Sequence, residues 1–69
     1  MPRKIRQLKA DLAKAGFEEL KGRGKGSHSW WSHSDMPQAT VNLSGQDGDA
    51  ADHYQEREVR AALERVRRA

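Results

Sequence analysis

Residues 27–33 have the sequence SHSWWSH, and this alternation of small polar and large aromatic residues predicts a β-strand near the middle of the chain. Successive side chains of a strand point to opposite faces, so His28 and Trp30 are expected on one face. Ser29, Trp31 and His33 are expected on the other. One tryptophan should therefore be in the core and the other should be exposed, but the sequence leaves open which one.

Two further strands are predicted on either side of this segment. Residues 17–21 form a short first strand that buries Phe17 and Leu20, and residues 38–43 form a third. A turn over residues 34–37, SDMP, connects the second strand to the third, because Asp and Ser bond to the local backbone and Pro fixes φ. The segment at 44–52 is small, polar and acidic, and is predicted as a loop that contributes nothing to a core.

A helix is predicted at each end of the chain. In residues 2–15 the apolar residues recur every three or four positions, and the same spacing begins near residue 55 and continues to the end. The two stripes consist of Ile5, Leu8 and Leu12, and of Val59, Leu63 and Val66. We therefore predict one α+β domain over residues 1–69, in the order α-β-β-β-α, with a three-stranded antiparallel sheet and both helices on one of its faces.

Composition and charge limit the kinds of site, cellular compartment and binding partner that this protein can have. The chain has no cysteine, which excludes disulfides and thiolate zinc sites and fits a reducing compartment. It has no apolar run of membrane-spanning length and no signal-peptide pattern, so a soluble cytoplasmic protein is expected. The net charge of +3 is the sum of +5 over residues 1–26, −4 over 27–55 and +2 over 56–69. Basic ends of this kind attract a polyanion or an acidic protein, although they are also compatible with solvated helix faces.

The run KGRGKG at residues 21–26 leads directly into the central strand. Its cations could hold phosphates, the imidazole of His28 could move protons near neutral pH, and a tryptophan could stack on an unpaired base. The run matches neither the P-loop nor the dinucleotide-binding fingerprint, which excludes nucleotide binding of those types. From the residues alone, we interpret residues 21–31 as an RNA-binding segment with His28 as candidate catalytic base; a flexible turn is the alternative.

The other two histidines are weaker candidates. His33 should point away from His28 in a regular strand, and His53 lies in the acidic loop, so both are expected to be solvated surface residues. The spacing of the three histidines fits no common zinc pattern, so no metal site and no cofactor are predicted.

Several short motifs, in this order, resemble the HicA (YcfA-like) toxin family over nearly the whole chain. They are KAGF at residues 14–17, KGSH at 25–28 followed by aromatics, TVNL at 40–43, and VRAAL at 59–63. The resemblance implies a fold like the double-stranded-RNA-binding domain. It also implies a metal-independent mRNA interferase, an endoribonuclease of a toxin-antitoxin system, whose catalytic residue is His28.

The resemblance also implies partners: RNA as substrate and an inhibitory antitoxin of the HicB type, with no membrane and no small-molecule cofactor. The residues predicted to bind RNA are Lys21, Arg23, Lys25, Ser27 and Trp31. Many members of the family have a second histidine after the first, and this chain has Ser29 there. A non-catalytic RNA-binding module, or an inactive relative that only binds an antitoxin, is the alternative function.

Overall fold

The computed structural model describes residues 3–20 and 28–68 and contains two helices and three strands in that part of the chain. They are α1 (Ile5–Lys14), β1 (Phe17–Glu19), β2 (His28–His33), β3 (Met36–Ser44) and α2 (His53–Arg68). The predicted order α-β-β-β-α is confirmed. None of the helices in this part of the chain is both long enough and apolar enough to cross a membrane.

The three strands form an antiparallel sheet in the order β1-β2-β3, so that β2 is the central strand. Phe17 of β1 pairs with His33 of β2, and Trp30 of β2 pairs with Asn42 of β3. The register between β2 and β3 shifts between Trp31, which pairs with Val41, and His33, which pairs with Met36. The predicted antiparallel sheet is therefore confirmed, and β3 is longer than predicted because it begins before Pro37.

Both helices pack on the same face of the sheet. The core consists of Ile5, Leu8 and Leu12 from α1, Val59 and Ala62 from α2, Phe17, Trp31, Ala39, Val41 and Leu43 from the sheet, and Ala51. Ala62 is buried more deeply than Leu63 and Val66, which are only partly buried, so the apolar stripe of α2 is rotated slightly from the predicted one. Within the described ranges, the buried sheet residues lie on the helix side, and neither α1 nor α2 covers the other face of the sheet.

The acidic segment between β3 and α2 stabilises the start of α1, which the sequence did not indicate. The first N–H groups of a helix have no partner within it. The amide of Ile5 donates to the carbonyl of Asp49 (2.9 Å) and that of Arg6 to Asp47 (3.2 Å), while Ala51 donates to Arg3 (2.7 Å). Ala51 is also part of the core. The prediction that this segment contributes nothing to the core is therefore wrong.

The start of α2 is fixed by two polar side chains. The carboxylate of Asp52 accepts a hydrogen bond from the backbone N–H of Gln55 (2.8 Å), which caps the helix and makes it begin at His53, earlier than predicted. The side chain of Gln55 is buried, and its Oε1 accepts from the backbone N–H of Ser44 at 2.8 Å. Gln55 therefore ties the end of β3 to the first turn of α2.

Replacement of Gln55 by alanine is expected to lower the free energy of unfolding by about 1–3 kcal/mol, because the Ser44 N–H loses its acceptor. The measurement is urea denaturation followed by circular dichroism. The matched control is Arg57→Ala, an exposed position in the same helix, which should change stability by no more than about 0.5 kcal/mol. Equal stability of the two variants would show that the Gln55 side chain does not hold β3 against α2.

Candidate functional site

His28 is the first residue of β2 and is exposed. It pairs with Ser44 of β3, and its side chain lies on the sheet face opposite the helices, as the predicted alternation requires. The predicted RNA contacts Lys21, Arg23, Lys25 and Ser27 precede it in the chain and lie outside the described residues. The described part of the candidate site is therefore the imidazole and the sheet surface around it.

The sheet face that carries His28, here called the open face, presents an ordered array of side chains. Near His28 it carries Leu20, Trp30, Asn42 and Ser44, and Glu18 and Ser32 lie further along the same face. The amide of Leu20 donates to the carbonyl of Trp30 at 2.7 Å, so Leu20 continues the β1 ladder by one residue. Leu20, Trp30 and Asn42 thus form one row across the three strands, and His28 and Ser44 form the next row. Leu20 and Trp30 are partly buried, while His28, Asn42 and Ser44 are exposed.

Trp31, predicted to bind RNA, belongs to the core. Its side chain is only 7 % exposed and lies on the helix side of the sheet. Its indole Nε1–H donates to Oγ of Ser29 at 3.1 Å, so its polar atom also finds its partner inside the protein. Stacking on a base requires an accessible ring face. The prediction for Trp31 is therefore wrong, and the tryptophan on the face of His28 is Trp30.

Ser29 occupies the position where the resembled family often has a second histidine, and it is buried. Because it follows His28 directly in a strand, its side chain points to the opposite face. Its hydroxyl accepts the indole hydrogen bond of Trp31. In this chain, the side chain of Ser29 is buried against Trp31, on the other side of the sheet from the candidate catalytic imidazole.

His33 is a structural residue within the core. It is 8 % exposed, and its ring meets the ring of Phe17 edge-on with a centroid separation of 5.3 Å. Its Nε2 lies 3.2 Å from the carbonyl oxygen of Ala15, and its Nδ1 accepts from the N–H of Asp35 at 3.0 Å. A carbonyl can only accept, so this pairing requires the tautomer with hydrogen on Nε2. The predicted separation from His28 is confirmed, but the prediction that His33 is solvated is wrong.

The start of α2 carries the remaining histidine and the chain's tyrosine. His53 is exposed and is the first residue of the helix, and no group of three potential metal-binding side chains occurs in residues 3–20 and 28–68. Tyr54 is 70 % exposed. A hydrogen bond to Glu58 and the negative charge of that carboxylate raise the pKa of the Tyr54 phenol, which disfavours a role as an acid near neutral pH.

A depression of about 440 Å³ lies between the C-terminal parts of α1 and α2, lined by residues including Lys14, Leu63, Val66 and Arg67. It is on the helix side of the sheet, opposite His28, and is no part of the candidate site. Glu18 is the acidic residue of the open face; it pairs with Ser32, roughly 13 Å along β2 from His28. Among the described residues of the open face, the side chains that neighbour His28 are therefore uncharged.

Comparisons of the chain with protein-family models, with curated proteins and with solved structures give no match. The resemblance to HicA toxins, and the likeness to the double-stranded-RNA-binding domain that it implies, remain predictions from the sequence motifs.

Proposed function

We propose that this protein is a metal-independent endoribonuclease that cleaves mRNA in the cytoplasm, as the toxin of a HicA/HicB-type toxin-antitoxin system. The observation that carries the proposal is the position of His28. It is exposed at the beginning of the central strand, and one residue, Ser27, separates it in the sequence from a run of three cations and three glycines. An accessible imidazole that is close in the sequence to several cations is the minimum arrangement for cutting RNA without a metal.

The reaction uses the nucleophile that RNA already contains. The imidazole of His28 removes the proton of a 2′-OH, and the resulting oxygen attacks the adjacent phosphorus. The bond from phosphorus to the 5′-oxygen of the next nucleotide breaks and water supplies a proton to that oxygen, which yields a 2′,3′-cyclic phosphate and a 5′-OH end, while His28 later releases its proton to solvent. Lys21, Arg23 and Lys25 are the candidates for stabilising the charge that grows on the non-bridging oxygens.

The proposed protein partner is an antitoxin of the HicB type that covers His28 or the basic run. The acidic partner would be attracted by the net charge of +5 on residues 1–26. A chain of 69 residues buries a small core, so a partner that binds only the folded form would also stabilise it.

The test of the proposal is incubation of the purified protein with end-labelled RNA, with and without EDTA. We expect cleavage to be equal in both conditions and the products to end in a 2′,3′-cyclic phosphate. Cleavage that stops with EDTA would contradict the metal-independent route. RNA that is bound but never cut, over a range of sequences, would favour the non-catalytic RNA-binding module.

Binding of uncleaved RNA should weaken steeply with salt. Contacts between cations and phosphates release counterions, so the logarithm of the affinity should fall with the logarithm of the salt concentration by roughly 0.7 per phosphate contacted on a single strand. Fluorescence anisotropy of a labelled oligonucleotide whose reactive 2′-OH is blocked measures this slope. An affinity that does not change between low and moderate salt would exclude phosphate contacts as the main source of binding.

A further inference from the structure

The open face places an aromatic ring and an amide directly beside the candidate catalytic imidazole. Trp30 follows His28 by two residues in β2, and both side chains lie on this face. Same-face neighbours of a strand are roughly 6.6 Å apart, which is close to the spacing of adjacent nucleotides in an extended single strand. Asn42 pairs with Trp30 across the strands, which places their Cβ atoms about 4.5–5.5 Å apart.

We propose that Trp30 and Asn42 form a base-binding subsite next to His28, in which the Trp30 ring stacks on one unpaired base and the Asn42 amide hydrogen-bonds to the edge of that base. This inference rests on the proposed function and adds to it how a nucleotide next to the cut is held. In this subsite the RNA contacts the open face of the sheet, and these contacts add to those with the cations that precede β2.

The residue types suit an unpaired base. Every base has a π-face, so stacking on an indole holds a base with little dependence on sequence. An Asn side chain offers one acceptor and two donors, which can pair with the mixed donors and acceptors of a base edge. Asn42 is exposed at the β3 end of a row whose other members, Leu20 and Trp30, are apolar and partly buried. The row thus combines an aromatic ring on which a base can stack with an amide that can hydrogen-bond to the edge of that base.

Charge favours a nucleic acid as the occupant of this face. The segment that leads into it, residues 1–26, has a net charge of +5 and ends in the run KGRGKG. His28 lies between that run and Trp30 in the sequence, and the run supplies cations that attract the phosphates of an RNA strand. An unpaired strand fits better than a duplex. A base can stack on the Trp30 indole only when it is not already stacked between the neighbouring bases of a helix.

The experiment measures binding of oligonucleotides with 2′-O-methyl riboses, which lack the reactive hydroxyl and separate binding from cleavage. The variants are Trp30→Leu, Trp30→Phe and Asn42→Ala, and the control is Ser32→Ala, which is on the same face and strand beyond Trp30. Circular dichroism melting establishes that each variant is folded. Affinity comes from anisotropy, and the tryptophan emission of the protein is recorded in the same titration.

Trp30→Leu should weaken binding by about 5- to 150-fold, the range observed for lost base–aromatic stacking. Trp30→Phe should recover much of that loss, and Ser32→Ala should bind as the wild type does. RNA should quench the emission of the wild type, but not that of Trp30→Leu, whose remaining indole is the buried Trp31. Asn42→Ala should reduce the spread of affinities among oligonucleotides that differ only in the base at one position.

The proposal is overturned if Trp30→Leu is folded and binds as tightly as the wild type while the wild type still cuts RNA; the proposed function would then stand without this subsite. Loss of affinity in Trp30→Leu that Trp30→Phe does not recover would also overturn it, since the ring itself would not be the binding group. If the wild type neither binds nor cuts RNA, the proposed function fails and this inference fails with it.

Discussion

Replacement of His28 by alanine is expected to lower the rate of RNA cleavage by about 10²–10⁴-fold, the usual loss when a general base is removed. The affinity for uncleaved RNA should remain close to that of the wild type, because binding is shared among several cations and the base-binding subsite. His28 is exposed and lies at the end of a strand. Its loss should therefore change the free energy of unfolding by no more than about 0.5 kcal/mol.

The matched control for this prediction is His53→Ala. His53 is also exposed, but it is the first residue of α2 and contributes nothing to the open face of the sheet. Cleavage of one labelled RNA by the two variants and the wild type, at equal folding by circular dichroism, decides the assignment. If His28→Ala cuts at the wild-type rate, or if His53→Ala is the inactive variant, His28 is not the base.

Most of the order of elements was predictable, because α1, α2 and β3 each have a clear hydrophobic period. Ile5, Leu8 and Leu12 recur at helical spacing, and Ala39, Val41 and Leu43 alternate, so α1 and β3 follow from the residues alone. These same residues are buried in the structure. The helices then pack on the one sheet face that is apolar, which explains why the architecture was correct although the polar segments were misjudged.

The assignment of the two tryptophans could not be made from the sequence. Alternation in β2 separates Trp30 from Trp31, but it does not indicate which face the helices cover. The structure resolves this through neighbours: Trp31 pairs with Val41, a core residue, while Trp30 pairs with the polar Asn42. The apolar face of β3 was therefore a usable signal, provided that the register of β2 against β3 was known.

The polar residues inside the protein were missed for a different reason. Gln55 and His33 look like surface residues by composition, and only tertiary contacts satisfy their polar atoms. Gln55 finds the backbone of Ser44, eleven positions away, and His33 finds that of Ala15, eighteen positions away. No local pattern predicts such partners, because each depends on how strands and helices meet.

Replacement of Gly16 by alanine is expected to destabilise the protein by about 2–4 kcal/mol, a large share of the total stability of a domain of this size. Gly16 joins α1 to β1 with φ of +100°, a conformation that costs a residue with a side chain about 1–3 kcal/mol. A Cβ at this position would lie 2.8 Å from Nε2 of His33. The ring would have to move, and its hydrogen bonds to Ala15 and Asp35 would weaken.

A double-mutant cycle separates the two causes. His33→Ala alone should destabilise through the lost hydrogen bonds and the lost contact with Phe17. In that background Gly16→Ala should cost only the backbone strain, because the ring that its Cβ would meet is gone. The control is Gly48→Ala, where φ is not in the left-handed region and a Cβ meets nothing within 4 Å, so stability should hardly change. Urea denaturation gives the free energies. A Gly16→Ala cost that is the same with and without the His33 ring would show that backbone conformation alone requires glycine at the junction of α1 and β1.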